Sequence, residues 1–225
     1  MLVQMINSTI ARELGVSESQ VAATVALLDE GNTVPFIARY RKEITGGLDD
    51  SQLRQLEERL AYLRELEERK QSILAAIEEQ GKLTDDLRAL ILACETKARL
   101  EDLYLPFKKR RKTKADVARE AGIEPLVDAL IDAPSTDATS AATAYVCEGF
   151  EDEKKVLEGA RAILVDRCAT NADLVGEVRE EMLSRGHMTA SVAEGKEQEG
   201  AKFKDYFEFS ESCESLPSHR ILALL

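Results

Sequence analysis

Six cations crowd into seven residues of this 225-residue chain: Lys108, Lys109, Arg110, Arg111, Lys112 and Lys114, with Thr113 among them. Clustered Lys and Arg neutralise phosphates and release condensed counterions, so this run suits contact with a nucleic-acid backbone, without sequence readout. The chain as a whole is acidic, with a net charge of −12, so setting these six charges aside leaves −18 on the rest. One basic segment therefore stands in an acidic field. The competing reading is a solvated turn, or a basic patch satisfied by the protein's own acidic helices. Residue types alone leave both open. Tyr104 and Phe107, just upstream, are expected to anchor the loop in a core rather than to stack on bases.

No catalytic constellation accompanies the basic run. The patterns G-x-S-x-G, G-x-x-x-x-G-K, G-x-G-x-x-G and H-E-x-x-H are all missing. Asp and Glu number 42, so chance carboxylate pairs are inevitable. A metal-dependent nuclease cluster would draw them from several strand ends, and this sequence offers almost no strands. Cys94, Cys147, Cys168 and Cys213 form no C-x-x-C, and His187 and His219 both lie near the end. Zinc needs ligands that close small chelate loops, so the cysteines read as reduced thiols packed like small hydrophobes. The expectation is a non-enzymatic chain with no metal and no cofactor. Its apolar runs fall far short of the ~20 residues that span a bilayer, and its start has no signal-peptide pattern, so no membrane is expected and the cytoplasm is the expected location.

The elements that must position the loop are helices. With no Trp, few aromatics and many Leu, Ala and Glu, the composition predicts an all-α fold. Two helices are expected around Gly15, the first carrying Met5, Ile6, Ile10 and Leu14, the second capped by Ser17 and Gln20 and carrying Val21, Val25 and Leu28. Ala11, Gly15 and Val21 have helix-turn-helix spacing, but no Lys or Arg occurs between Arg12 and Arg39. The motif is therefore a packing unit rather than a base reader. From Asp49 to about Gln80 runs one long helix, with Leu53, Leu56, Leu60, Leu63, Leu66, Ile73 and Ile77 on one stripe and Lys70 interrupting it. Its Glu/Arg face reads as a solvated surface of weak pairs.

Downstream, Thr84 and Thr96 cap two short helices, Pro106 breaks the chain before the basic run, and Thr113 caps the next helix. VAREAGIE (117–124) echoes IARELGVS (10–17), predicting a second helix-turn-helix-like pair at 113–121 and 124–132. Helices are expected at about 137–147, 152–168 and 171–185, with a short extended segment at 188–192. Phe203, Tyr206, Phe207 and Phe209 form an aromatic docking point, and the apolar run 221–225 reads as a strand severed from its sheet.

Residues 32–50, NTVPFIARYRKEITGGLDD, combine more unusual choices than a generic spacer would. Pro35 suits a first helical turn, Phe36 and Tyr40 sit on one face joined by Ile37 and Ile44, and Arg39 can pair with Glu43, which predicts a short, partly buried helix. Gly46 and Gly47 permit the positive φ that ends a helix, and Asp49 with Gln52 opens the next. This joint resembles the N-terminal region of the bacterial Tex family of transcription accessory proteins, which are related to a eukaryotic transcription elongation factor. The likeness continues through residues 57–83, 96–126, 194–211 and 216–220.

The resemblance implies an N-terminal piece of a longer protein, whose members continue into an RNase H-like YqgF domain, helix-hairpin-helix elements and an OB-fold RNA-binding domain. On that basis the chain divides into helix-turn-helix-like helices (1–48), then the long helix, basic loop and second such unit (49–133). A C-terminal helical subdomain (134–212) and the start of a truncated YqgF domain (213–225) follow. Expected partners are RNA or DNA, bound weakly by this piece, and the transcription machinery, with the chain a monomer. The alternative is a protein–protein interaction scaffold engaging that machinery or the family's downstream domains.

Overall fold

Side-chain caps set most of the helix starts in the computed structural model, which describes residues 2–225. The residues fall into two units, divided between Leu100 and Glu101. In the first, α1 (Leu2–Leu14) and α2 (Glu18–Asp29) are joined at Gly15, whose φ of +66° is the left-handed turn conformation that glycine adopts without penalty. Ser17 and Gln20 close a capping box at the start of α2. Next come α3 (Val34–Tyr40) and α4 (Asp50–Glu79), the latter opened by a second box from Asp49 and Gln52. Thr84 accepts from the Leu87 amide at the start of α5 (Asp85–Leu92), and α6 (Lys97–Tyr104) carries the chain across the division.

The thirty residues of α4 make a rod of roughly 45 Å at 1.5 Å per residue. Its Leu/Ile stripe is buried at all seven expected positions, and α1, α2 and α3 pack on it. Lys70 does not break this seam. Its ammonium is buried, 2.6 Å from Glu67 Oε1, and donates to the Leu92 carbonyl at 3.0 Å. The Arg-rich face of α4 is also more than a solvated surface. Arg59 forms a two-pronged pair with Glu13 of α1 (2.6 and 2.8 Å), and Arg64 another with Asp29 of α2 (2.7 and 2.8 Å). The Arg64 bonds hold the Asp29 carboxyl below its ordinary range.

In the joint at 32–50 the helix starts at Val34 as expected but ends at Tyr40, ahead of Gly46 and Gly47, and only part of its apolar set turns inward. Val34 and Ile37 are buried, whereas Phe36, Tyr40 and Ile44 are exposed. The helix ends at Tyr40, so Arg39 and Glu43 do not share a helical turn and form no pair; Arg41 instead lies over the Phe36 ring at 5.3 Å.

In the second unit, α7 (Lys114–Glu120) and α8 (Glu124–Asp132) meet at Gly122, φ +78°, as the repeated pattern predicts. Then follow α9 (Ala138–Ala142), α10 (Glu153–Ala169) and α11 (Ala172–Arg185). Ala118, Ile123, Leu126, Val127, Val156 and Ile163 belong to its buried core. The extended segment at 188–192 is β1 (His187–Ser191), paired antiparallel with β2 (Glu208–Ser212), His187 opposite Ser212. Of the four clustered aromatics, Phe209 is buried on β2 and stacks with Tyr206 at 5.4 Å, while Phe203 is exposed.

The severed C-terminal strand is not formed. Residues Ser218–Leu224 are a helix, α12, started at Pro217. Pro217 has the extended backbone of an N-cap, and Leu222, Ala223 and Leu224 are strong helix formers with only Ile221 β-branched among them. Among the described residues, no helix is long and apolar enough to cross a membrane.

Candidate nucleic-acid interface

The basic run is a loop held at both ends by its own chemistry. Upstream, α6 tightens into a 3-10 turn at Leu105–Phe107 with Pro106 inside it, and Lys108 leaves in extended backbone (φ −67°, ψ 123°). Proline cannot continue the hydrogen-bond ladder, so the chain must depart here. Tyr104 and Phe107 are half-buried beside the turn. Downstream, Thr113 and Asp116 close a capping box: the Thr113 amide donates to Asp116 Oδ2 at 2.8 Å, and the Asp116 amide to Thr113 Oγ1 at 3.3 Å. The bonds from the Thr113 backbone and hydroxyl, with Arg110 and Arg119 nearby, hold Asp116 below its ordinary pKa.

The six cations divide into two kinds. The Arg110 guanidinium sits 2.7 Å from Asp166 Oδ1 on α10 and 3.8 Å from Asp116 Oδ1. Asp166 is 12% exposed and also receives Arg119, at 2.9 Å. Arg119 reaches Glu124 at 3.3 Å, and Arg167 bridges Glu124 (2.8 Å) to Asp128 (2.6 Å). This relay staples the loop to α7, α8 and α10. The Arg167 bond, followed by that from Arg119, holds Glu124 below its ordinary range. Lys112 pairs with Glu120, one helix further on.

Lys108, Lys109, Arg111 and Lys114 are different. All four are exposed and make no ion pair among the described residues. The sequence placed all six together as phosphate contacts. The structure keeps five of them on one loop, with Lys114 opening α7, and commits Arg110 and Lys112 to internal partners. Sequence reasoning had no local signal for Asp166, which lies 56 positions beyond Arg110. Among the described residues, no group of three His, Cys, Asp or Glu side chains is placed to hold a metal ion. Of the cysteines, Cys94 is buried as expected and Cys168 is exposed.

What this arrangement offers is a set of point charges on a segment capped at both ends. Exposed Lys and Arg side chains are the residue types suited to phosphate oxygens, a contact that carries no base selectivity of its own.

Comparison with known proteins gives two family matches: residues 4–78 match the Tex-like protein N-terminal domain, and residues 133–225 the Tex central region-like family. The chain is 53% identical over 220 residues to the transcriptional accessory protein Tex of Neisseria gonorrhoeae, covering 98% of this chain and 29% of that one. It is 56% identical over 217 residues to protein YhgF of Escherichia coli K12, covering 96% and 28%. It is 30% identical over 211 residues to the human S1 RNA-binding domain-containing protein 1, covering 90% and 21%. The chain thus spans less than a third of the length of each of these relatives. Two consecutive Tex matches, and these identities over nearly every residue, place the chain in the Tex family of transcription accessory proteins, as its N-terminal region.

Proposed function

We propose that this chain is a non-enzymatic helical platform of a Tex-family transcription accessory protein that contacts RNA or DNA, without strong sequence preference, through Lys108, Lys109, Arg111 and Lys114. The observation that carries this reading is the set of four exposed, unpaired cations, three on a loop pinned by Pro106, the Thr113 box and the Arg110–Asp166 pair and Lys114 at the start of α7. The human relative named for an S1 RNA-binding domain supports RNA as a partner of the longer protein.

Salt titration tests it. Binding of a labelled single strand, followed by fluorescence anisotropy, should weaken with salt on a log–log slope of about −0.7 per neutralised phosphate. Replacing Lys109 and Arg111 by Ala should weaken binding and flatten that slope while leaving the circular dichroism spectrum unchanged. A variant that binds as the parent does sinks the proposal. A second reading, a scaffold for the transcription machinery, has its own observation in the exposed apolar residues Leu164, Val165, Leu174, Val178 and Met182 of α10 and α11.

A further inference from the structure

Beyond the loop, α7 and α10 leave between them a groove of about 700 Å³, inside the Glu101–Leu225 unit. Its apolar lining includes Val117, Phe150 and Val165, and its cations are Lys114, Lys155 and Arg161. Lys155 pairs with Glu151, whereas Lys114 and Arg161 are exposed and have no ion-pair partner among the described residues. Glu158 is the carboxylate in the lining, an acceptor suited to a donor on a base edge such as the N3–H of uracil.

The apolar floor is fixed before any ligand arrives. Cys147 and Phe150 exchange backbone hydrogen bonds (3.1 and 2.9 Å) around Gly149, φ +88°. They set the Phe150 ring against α10 at Gly159, where an added Cβ would stand 2.8 Å from Phe150 Cε1 and 3.1 Å from Ile123 Cδ1. The volume falls within the range of small-molecule pockets. An apolar, aromatic-containing hollow rimmed by free cations fits a planar ring that carries an anion, the chemistry of a nucleotide in a single strand. Lys114 belongs to both the basic run and the groove, so one strand can run from one to the other without a gap in positive charge.

We propose that this groove seats one unstacked nucleotide of a single strand, its base against Val117, Phe150 and Val165 and its phosphate between Lys114 and Arg161. The inference rests on the loop reading above. It adds a preference for single strands over duplex, because a paired base cannot leave its stack without cost.

The chain has no Trp, so Val117→Trp, at a position 44% exposed, places the sole indole in the groove wall. An oligouridylate should quench its emission roughly twofold by stacking, while an abasic strand of equal length, bound through phosphates alone, should not. Arg161→Glu, an exposed change that tests the groove even if the indole variant fails to fold, should weaken single-strand binding about fivefold and leave duplex binding unchanged. Anisotropy showing a bound strand with unchanged indole emission overturns the groove, and so does Arg161→Glu binding as the parent does. If uridine monophosphate quenches as strongly as the strand at equal concentration, the site is one for free nucleotides and the strand proposal falls. If the Lys109→Ala, Arg111→Ala double variant weakens binding while Arg161→Glu does not, only the groove is lost. If the double variant binds like the parent, the loop reading falls with it.

Discussion

Arg110 is 2.7 Å from Asp166, whereas Lys109 beside it is exposed with no ion-pair partner. Adjacent cations in one run therefore carry different duties, and substitution separates them. Arg110→Ala should cost about 1 kcal/mol, between the value of an exposed pair and a buried one, because Asp166 keeps Arg119. Lys109→Ala should stay within about 0.5 kcal/mol of the parent and change binding instead. Thermal melting checks the first and anisotropy the second.

The carboxylates of the relay carry a pH signature. Glu124 is depressed below its ordinary 4.5 by Arg167 and Arg119, so the folded state holds its proton more weakly than the unfolded chain does. Its contribution is complete above pH 4.5 and is lost as pH falls through the folded value. Melting temperature should therefore drop on acidification below that point, and Glu124→Gln should make the drop shallower. An unaltered acid limb would show the relay to be inert. None of this pairing was legible in the sequence beyond the Thr113 cap, because Asp166 meets Arg110 only through tertiary packing. Residue types identified the cations; they could not say which were already spoken for.

Helices were legible where caps and stripes agree. Ser17, Asp49, Thr84 and Thr113 each bond the backbone they were expected to cap, and the α4 stripe is buried along its length. Leu60→Asp should accordingly destabilise by several kcal/mol, by placing an unpaired charge in that core. Legibility failed where periodicity is short. In α3, only seven residues long, Phe36 and Ile37 compete for the core on size alone, and β-branched Ile37 is the one buried. Ile37→Ala should cost about 2–5 kcal/mol, and Phe36→Ala far less.

At α12 an apolar run of five residues cannot distinguish strand from helix, and β2 has a single apolar residue, Phe209, in Glu208–Ser212. Lys70 is the instructive error within a correct element. A charge on an apolar stripe reads as an interruption, yet Glu67 one turn earlier and the Leu92 carbonyl complete its bonding. Removing Lys70 alone, as Lys70→Met, strands the buried Glu67 carboxylate and should cost about 3–5 kcal/mol; adding Glu67→Leu should recover much of that. Chemical denaturation of the single and double variants measures the difference. A double variant no more stable than the single would mean that the pair is not what limits the seam.

On the scale of the whole chain, charge sets the terms of binding. With the four free cations set aside, the rest of the molecule carries −16 of the net −12. A polyanion approaching the loop gains counterion release locally and meets repulsion from everything else. The two effects respond to salt in opposite directions and over different ranges. Counterion release strengthens binding steadily as salt falls. Repulsion from distant carboxylates is screened at about 0.1 M, where the Debye length is ~10 Å, and emerges near 0.01 M, where it reaches ~30 Å. Binding should therefore be weak, micromolar or poorer, and its log–log salt plot should be straight above about 0.1 M and flatten at lower salt. A plot that stays straight down to 0.01 M would show that the acidic remainder is too far from the bound strand to matter. A plot with no salt dependence anywhere would remove phosphate contact as the basis of binding altogether.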